Sequence, residues 1–165
     1  RGDTYSSIEN LTGTRKADAL TGNSHANTIS GLDGDDRLFG GGGKDLLDGG
    51  RGDDVLVGGS GSDKLIGGAG ADHFVYESIK DSGTTNSKRD LILDFSRKQK
   101  DKIDLSAIDA VSRGRDDDFH FIGDDRFSKH AGELRYEHKG GDTIVSADVN
   151  GDGRADFAIR FDAHI

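Results

Sequence analysis

The chain has 165 residues and a net charge of -9, with 22 Lys and Arg against 31 Asp and Glu; it carries 26 Gly and no Pro, Cys, Met or Trp. That acidity argues against nucleic-acid binding, which takes clustered Lys and Arg, and the absence of Cys excludes a disulfide scaffold, a CxxC redox pair and a Cys-ligated zinc. No apolar run approaches the roughly 20 residues that span a bilayer. The opening Arg1-Gly2-Asp3, without initiator Met or apolar leader, reads as the start of a piece of a longer protein.

Residues 1–12 are expected to form a lead-in strand. From Gly13 the sequence runs in nines to Val75, seven units without a gap. Position one is Gly13, Gly22, Gly31, Gly40, Gly49, Gly58 and Gly67. Position six is Asp18, Asn27, Asp36, Asp45, Asp54, Asp63 and Asp72. Position eight is Leu20, Ile29, Leu38, Leu47, Leu56, Leu65 and Phe74, and from the third unit position four is also Gly. This block contains no Glu. Asp is the shorter carboxylate, suited to tight turns and to oxygen cages around hard cations. A Gly-rich turn of six residues allows positive φ and close backbone approach. The next three residues form a short strand whose apolar eighth residue points inward. Two nines make one coil of a flattened right-handed helix, so each unit stacks on the unit two further along. A flexible Gly/Asp linker has no reason to hold its apolar residues at one phase of nine.

The unit Gly-Gly-x-Gly-x-Asp-x-apolar-x resembles the RTX nonapeptide, and that resemblance implies calcium. Calcium takes six to eight oxygens at about 2.3–2.6 Å, more than one turn offers. Two stacked turns bring two carboxylates and several carbonyls. The expected ligands are Asp36, Asp45, Asp54, Asp63 and Asp72. Carbonyls of Gly31, Asp33, Gly34, Gly40, Gly42, Gly43, Gly49, Arg51, Gly52, Gly58 and Gly61 complete the cages. The pairs are Asp36 with Asp54, Asp54 with Asp72, and Asp45 with Asp63. Asp18 with Asp36 is a poorer pair, because Lys16 replaces the fourth-position Gly. Asn27 with Asp45 is poorer still, because Asn brings no charge and His25 replaces that Gly. Seven inward side chains do not offset the entropy of ordering residues 13–75, so the roll is expected to fold only as calcium binds.

Past Val75 the period fails, and residues 76–165 read as a β-rich cap. Tyr76 to Lys80 is expected to continue the last strand. Asp81 keeps the sixth-position phase and Asp90 lies near it in sequence, so either is a candidate for a further site where roll meets cap. Residues 90–95 and 102–105 read as strands, residues 107–110 as a short helical turn capped by Ser106, residues 112–118 as a charged loop and residues 119–122 as a strand. Three antiparallel strands follow at 133–138, 143–148 and 155–161, with turns at Gly140-Gly141 and Asn150-Gly151. Asp148, Asn150, Asp152 and Asp156 have the spacing of the first nine positions of an EF-hand-like calcium loop. Its twelfth position is Ile159 instead of Glu, and a simple Asn/Asp/Gly turn is the competing reading.

Asp90-Leu-Ile-Leu-Asp-Phe95 followed by Asp101-Lys-Ile-Asp-Leu-Ser106 is similar to the C-terminal module of serralysin-type metalloproteases and calcium-dependent mannuronan epimerases. Gly132 to Tyr136, Asp152 to Phe157 and the lead-in Ser7 to Gly13 fit the same module. The resemblance implies an all-β fold, a right-handed parallel β-roll followed by an antiparallel β-rich cap. It further implies a bacterial, extracellular module exported through a type I secretion apparatus, attached to a catalytic or adhesive domain on its N-terminal side and monomeric by itself. No HExxH or close zinc pair occurs among the six His, so no protease activity carries over. The Asp-Asp pairs at 35–36 and 53–54 lie in calcium turns and not in a glycosidase pair. The rival function is polysaccharide binding, with Tyr136, Arg135, Lys139 and Arg160 as candidate contacts.

Overall fold

The structure is a computed structural model that describes residues 9–111 and 117–162. Among these residues there is no helix, only strands β1 (Asn10–Thr12), β2 (Ala19–Thr21), β3 (Thr28–Asp33), β4 (Arg37–Gly43), β5 (Leu46–Arg51), β6 (Val55–Gly61), β7 (Lys64–Ala69), β8 (His73–Val75), β9 (Asp90–Ile92), β10 (Lys102–Asp104), β11 (His120–Phe121), β12 (Glu133–Lys139), β13 (Asp142–Asp148) and β14 (Phe157–Phe161). Odd-numbered strands β1 to β9 form one parallel stack and even-numbered β2 to β10 form a second. This is a parallel β-solenoid of about four turns, extended by antiparallel strands.

Within the repeats the register is 18 residues. Leu20 lies beside Leu38, Leu38 beside Leu56, and Leu56 beside Phe74; Leu11, Ile29, Leu47 and Leu65 form the facing column. Ile29, Leu38, Leu47, Leu56, Leu65 and Phe74 are fully buried. The strands are longer than three residues, because the ladder continues into the glycines: Gly41 pairs with Gly59 and Gly43 with Gly61. A parallel ladder needs no side chain to continue.

Stacking also outlasts the nine-residue period. Ile92 of β9 sits beside Leu65, and Ile103 of β10 beside Phe74. The strand after Val75 does not continue, since residues 78–80 turn instead. Residues 106–108 make a turn and not a helix, closed by the Ile108 amide on the Leu105 carbonyl at 2.9 Å. The expected loop at 112–118 and the end at 163–165 fall largely or wholly outside the described residues.

The last strands join the first sheet. β14 pairs parallel with β9, β13 and β12 add antiparallel neighbours, and β11 adds a parallel edge. The β12–β13 hairpin turns on Gly140 and Gly141, both at positive φ, as a tight two-residue hairpin requires. Phe157, Ile159 and Phe161 are buried with Phe74, Tyr76 and Ile92 in one continuous core. Ring contacts run through this core: Phe74 of the last repeat meets Phe95 tilted at 6.2 Å, Phe95 meets Phe161 edge-on at 5.3 Å, and Tyr76 meets Phe157 edge-on at 5.2 Å.

Leu32 holds φ +86° at position two of its unit, where Gly41, Gly50, Gly59 and Gly68 are also positive. An L residue there carries about 1–2 kcal/mol of strain. Leu32→Gly is therefore expected to raise the melting temperature of the calcium-loaded chain by about 2 °C, the strain relieved exceeding the entropy cost of Gly. A lower melting temperature by calorimetry would show that Leu32 stabilises through its side chain.

Candidate metal centre

The sixth-position residues line up along the two stacks, each joined to the next coil by a bond from its own amide. The Asp18 amide donates to Asp36 Oδ1 at 2.8 Å, Asp36 to Asp54 at 2.7 Å and Asp54 to Asp72 at 3.0 Å. On the other side Asn27 donates to Asp45 at 2.7 Å, and Asp45 to Asp63 at 2.8 Å. The 18-residue repeat thus uses one oxygen of each carboxylate as a rivet between coils.

The other oxygen is left over. Oδ2 of Asp36, Asp45, Asp54, Asp63 and Asp72 is buried and has no hydrogen-bond partner among the described residues; Asp90 Oδ2 is buried too, and the buried Tyr76 hydroxyl interacts with the Asp90 carboxyl. Such an atom is costly unless something else satisfies it. These oxygens also lie near backbone oxygens. A Cβ built on Gly40 would meet Asp45 Oδ2 and the Gly58 carbonyl, both at 2.5 Å, and one on Gly49 would meet Asp54 Oδ2 and the Gly67 carbonyl. The space beside position one is thus a cradle that a methyl group would fill, bordered by a carboxylate oxygen and a carbonyl oxygen. An all-oxygen donor set with paired carboxylates suits a hard divalent cation. Among the described residues no three His, Cys, Asp or Glu side chains converge as a metal cluster; two carboxylates with backbone carbonyls are what the repeat supplies.

Burial dominates the electrostatics. It pushes the Asp36 and Asp45 carboxyls up, and raises Asp54 and Asp72 to about 6 and Asp63 to about 7; amide bonds pull each back and neighbouring carboxylates mostly push it higher. Without a cation these groups resist ionisation.

The remaining sequence candidates separate by what satisfies them. Asp18 Oδ2 accepts from the Thr14 amide at 2.6 Å and the Thr14 hydroxyl at 2.9 Å, and Asn27 Oδ1 accepts from the Asn23 amide at 2.8 Å. Asp81 Oδ2 accepts from the Glu77 and Ser78 amides, both at 2.8 Å, closing its own turn. Asp90 instead takes over the rivet, accepting from the Asp63 amide at 2.8 Å. Burial pushes its carboxyl up to about 8, with Asp63 and Asp81 adding to the rise.

In the 148–156 loop the Asp148 oxygens accept from the Gly151 and Gly153 amides, each at 2.7 Å. Asp156 accepts from the Val149 and Asn150 amides and the Asn150 side chain. Asn150 and Asp152 accept from amides two residues on. This loop closes on itself by Asx turns and leaves none of the orphaned oxygens that mark the roll.

Two residues escaped the sequence reading. Asp101 occupies the sixth position of the last even-side coil, accepting from the Asp72 amide at 3.2 Å and from the Ser96 amide at 2.7 Å. Asp94 accepts from the Gly67 and Gly68 amides at 2.9 and 2.8 Å. A signal existed for the first: Asp90-Leu-Ile and Asp101-Lys-Ile repeat the Asp-x-apolar half of the nonapeptide without its glycines.

Residues 48–164 match the family model described as Peptidase M10 serralysin C terminal. Residues 5–38 and 21–56 match the RTX calcium-binding nonapeptide repeat (4 copies). No curated protein matches the chain in sequence. The chain is similar to two subunits of the Azotobacter vinelandii mannuronan C5-epimerase known from solution structures. For AlgE6R3 the identity is 26%, covering 96% of this chain and 78% of that one, with a TM-score of 0.41. For AlgE6R2 it is 30%, covering 93% and 84%, with a TM-score of 0.42.

Proposed function

The chain belongs to the Peptidase M10 serralysin C-terminal family and carries RTX calcium-binding repeats, and from that premise we propose that it is a non-catalytic, calcium-folded module of a larger bacterial protein exported by a type I system. The observation that carries the reading is the set of buried, partnerless Oδ2 atoms along the roll. Calcium would supply the positive charge that lets these carboxylates stay ionised and stacked. Asp36 with Asp54, Asp54 with Asp72, and Asp45 with Asp63 would hold it, with the Gly49, Gly67 and Gly58 carbonyls beside them. Asp63 with Asp90 adds a fourth pair, in which the Tyr76 hydroxyl also interacts with the Asp90 carboxyl. Ligand binding stabilises by about 1.4 kcal/mol per tenfold excess over Kd at each site. Export of an unfolded chain from a calcium-poor cytoplasm, then folding outside in millimolar calcium, follows from that linkage.

Far-UV circular dichroism is expected to change from coil to β as calcium is added to the chelated chain, with magnesium a poor substitute because it demands short octahedral bonds. A β spectrum unchanged by excess chelator would falsify the proposal. Asp90→Ala is expected to lower the calcium stoichiometry by one in equilibrium dialysis, and Asp81→Ala to leave it unchanged; the opposite pattern would move the end site from Asp90 to Asp81.

A second reading, polysaccharide binding, rests on a groove of about 310 Å³ lined by Arg97, Phe121, Tyr136, His138, Thr143 and Val145. Phe121 and Tyr136 lie nearly parallel with centroids 6.2 Å apart, and Phe121 is 59% exposed. Of the four residues singled out in the sequence, Tyr136 lines this groove and the other three do not. Arg135 and Lys139 alternate with Tyr136 along β12, and Arg160 shares a rung with Ile144 and Glu137, on the arginine side. Arg135 is engaged with Glu137 and Phe127, and Arg160 with Asp142. In this reading rings from Phe121 and Tyr136 contact a sugar and Arg97 meets its carboxylate. Calorimetric titration with an acidic oligosaccharide, lost in Phe121→Ala, tests it.

A further inference from the structure

The stacking offset on the odd side is 18 residues between repeats but 27 between β7 and β9. The nine extra residues belong to the excursion between Val75 and Asp90, which folds back against the side of the roll: Ser82 bridges to Gly61, and Ser62 Oγ donates to the Arg89 carbonyl at 3.1 Å. Between this excursion and the roll lies a pocket of about 320 Å³. Its charged lining is three lysines, one from the roll (Lys44) and two from the excursion (Lys80 and Lys88). The rest is glycine and serine, with no carboxylate.

In a chain with more acids than bases, three lysines lining one pocket without an acid is an uneven use of charge. None of the three ammonium groups makes an ion pair among the described residues; the ion pairs formed there all use arginine. An anion in the pocket would bring these lysines an opposite charge that their own surroundings there do not supply. On the roll side Gly43 and Gly61 stand beside Lys44 and Ser62 and present backbone where a side chain would otherwise project. Each lysine offers three donors on a flexible stem, which suits an oxyanion with several acceptor oxygens.

We propose that this pocket is an anion site for a phosphate or sulfate group, built where the excursion returns to the roll. Lys44, Lys80 and Lys88 supply the charge and the glycine-lined wall admits the group. The pocket lies beside the proposed calcium columns: it shares Gly43 and Gly61 with the expected cage carbonyls, whereas the column carboxylates are buried inside the coils.

The test uses the calcium-saturated chain at constant ionic strength, followed by ¹H–¹⁵N NMR. Sodium sulfate is the first probe, since it does not precipitate millimolar calcium as phosphate does. Saturable shifts are expected at the Gly43, Gly61 and Gly83 amides, with half-saturation at or below about 10 mM. Glucose 6-phosphate is the second probe: tighter binding than sulfate assigns an esterified ligand, weaker binding a free oxyanion. A Lys44→Gln, Lys80→Gln, Lys88→Gln variant should lose at least tenfold in affinity while its calcium midpoint stays unchanged, which shows that it folds. Single Lys80→Gln is the second readout if the triple variant fails to fold. Shifts that stay linear in both probes, or that survive the substitutions, overturn the proposal.

Discussion

Asp54→Ala is expected to raise the calcium concentration at the folding midpoint at least tenfold, and Asp18→Ala far less. Asp54 stands between Asp36 and Asp72 in its column, so its carboxylate belongs to two of the proposed pairs. Tenfold corresponds to about 1.4 kcal/mol, a modest demand on a residue serving two sites. The same substitution removes the acceptor of the buried Asp36 amide, which adds about 1–3 kcal/mol. Asp54→Asn separates the effects: it keeps an acceptor for that amide and removes only the charge. Asp18 joins the stack only through its own amide, which an alanine keeps; its Oδ2 is held by Thr14, and it lies in the first repeat. Equal midpoints for the Asp54 and Asp18 alanine variants, read by circular dichroism, would show that the carboxylates do not pair along the columns.

In chelator, acid is expected to do part of what calcium does. The metal-free folded chain has Asp54 and Asp72 at about 6, Asp63 at about 7 and Asp90 at about 8, all raised first by burial. In the unfolded chain each returns to about 3.9. Between those values the folded state binds more protons than the unfolded state, so stability falls as pH rises. The contribution is full below about pH 4, is lost as pH climbs through the folded values, and is gone above about pH 8. Each unit of elevation is worth about 1.4 kcal/mol, so four such groups weigh heavily on a roll with a thin core. The chelated chain should therefore show more β signal at pH 4 than at pH 8, whereas with saturating calcium the spectrum should be the same at pH 6 and pH 8. A chelated chain equally unfolded at both ends of that range would mean that carboxylate repulsion and burial are not what opens the roll.

Much of this molecule was written in one dimension. The nine-residue phase of Gly13 to Gly67 and of Leu20 to Phe74 dictates the coil, because a solenoid contacts only its neighbours and its register is the repeat itself. The same phase put Asp36, Asp45, Asp54, Asp63 and Asp72 in columns, and the pairing of Asp36 with Asp54 needed only the count of 18. Local chemistry likewise marked the Gly140-Gly141 hairpin and the alternation of Phe157, Ile159 and Phe161.

What the sequence could not determine lies where contacts are not periodic. Asp90 and Asp101 continue the columns at offsets of 27 and 29 residues, lengths that no local rule specifies, because the intervening excursions are free to differ in size. Whether Asp81 or Asp90 ended the roll depended on which amides came within reach, and Asp81 spent its oxygen on its own turn. The Asp148 to Asp156 loop had the spacing of a cation site, but strand pairing of β13 with β14 let it satisfy itself. The faces of β12 separated Tyr136 from Arg135 and Lys139, and the excursion carried Lys80 and Lys88 to Lys44. Side-chain type and spacing specify a repeating fold because each coil meets a copy of itself. Where unlike segments meet, only the three-dimensional packing decides which donors and charges become neighbours.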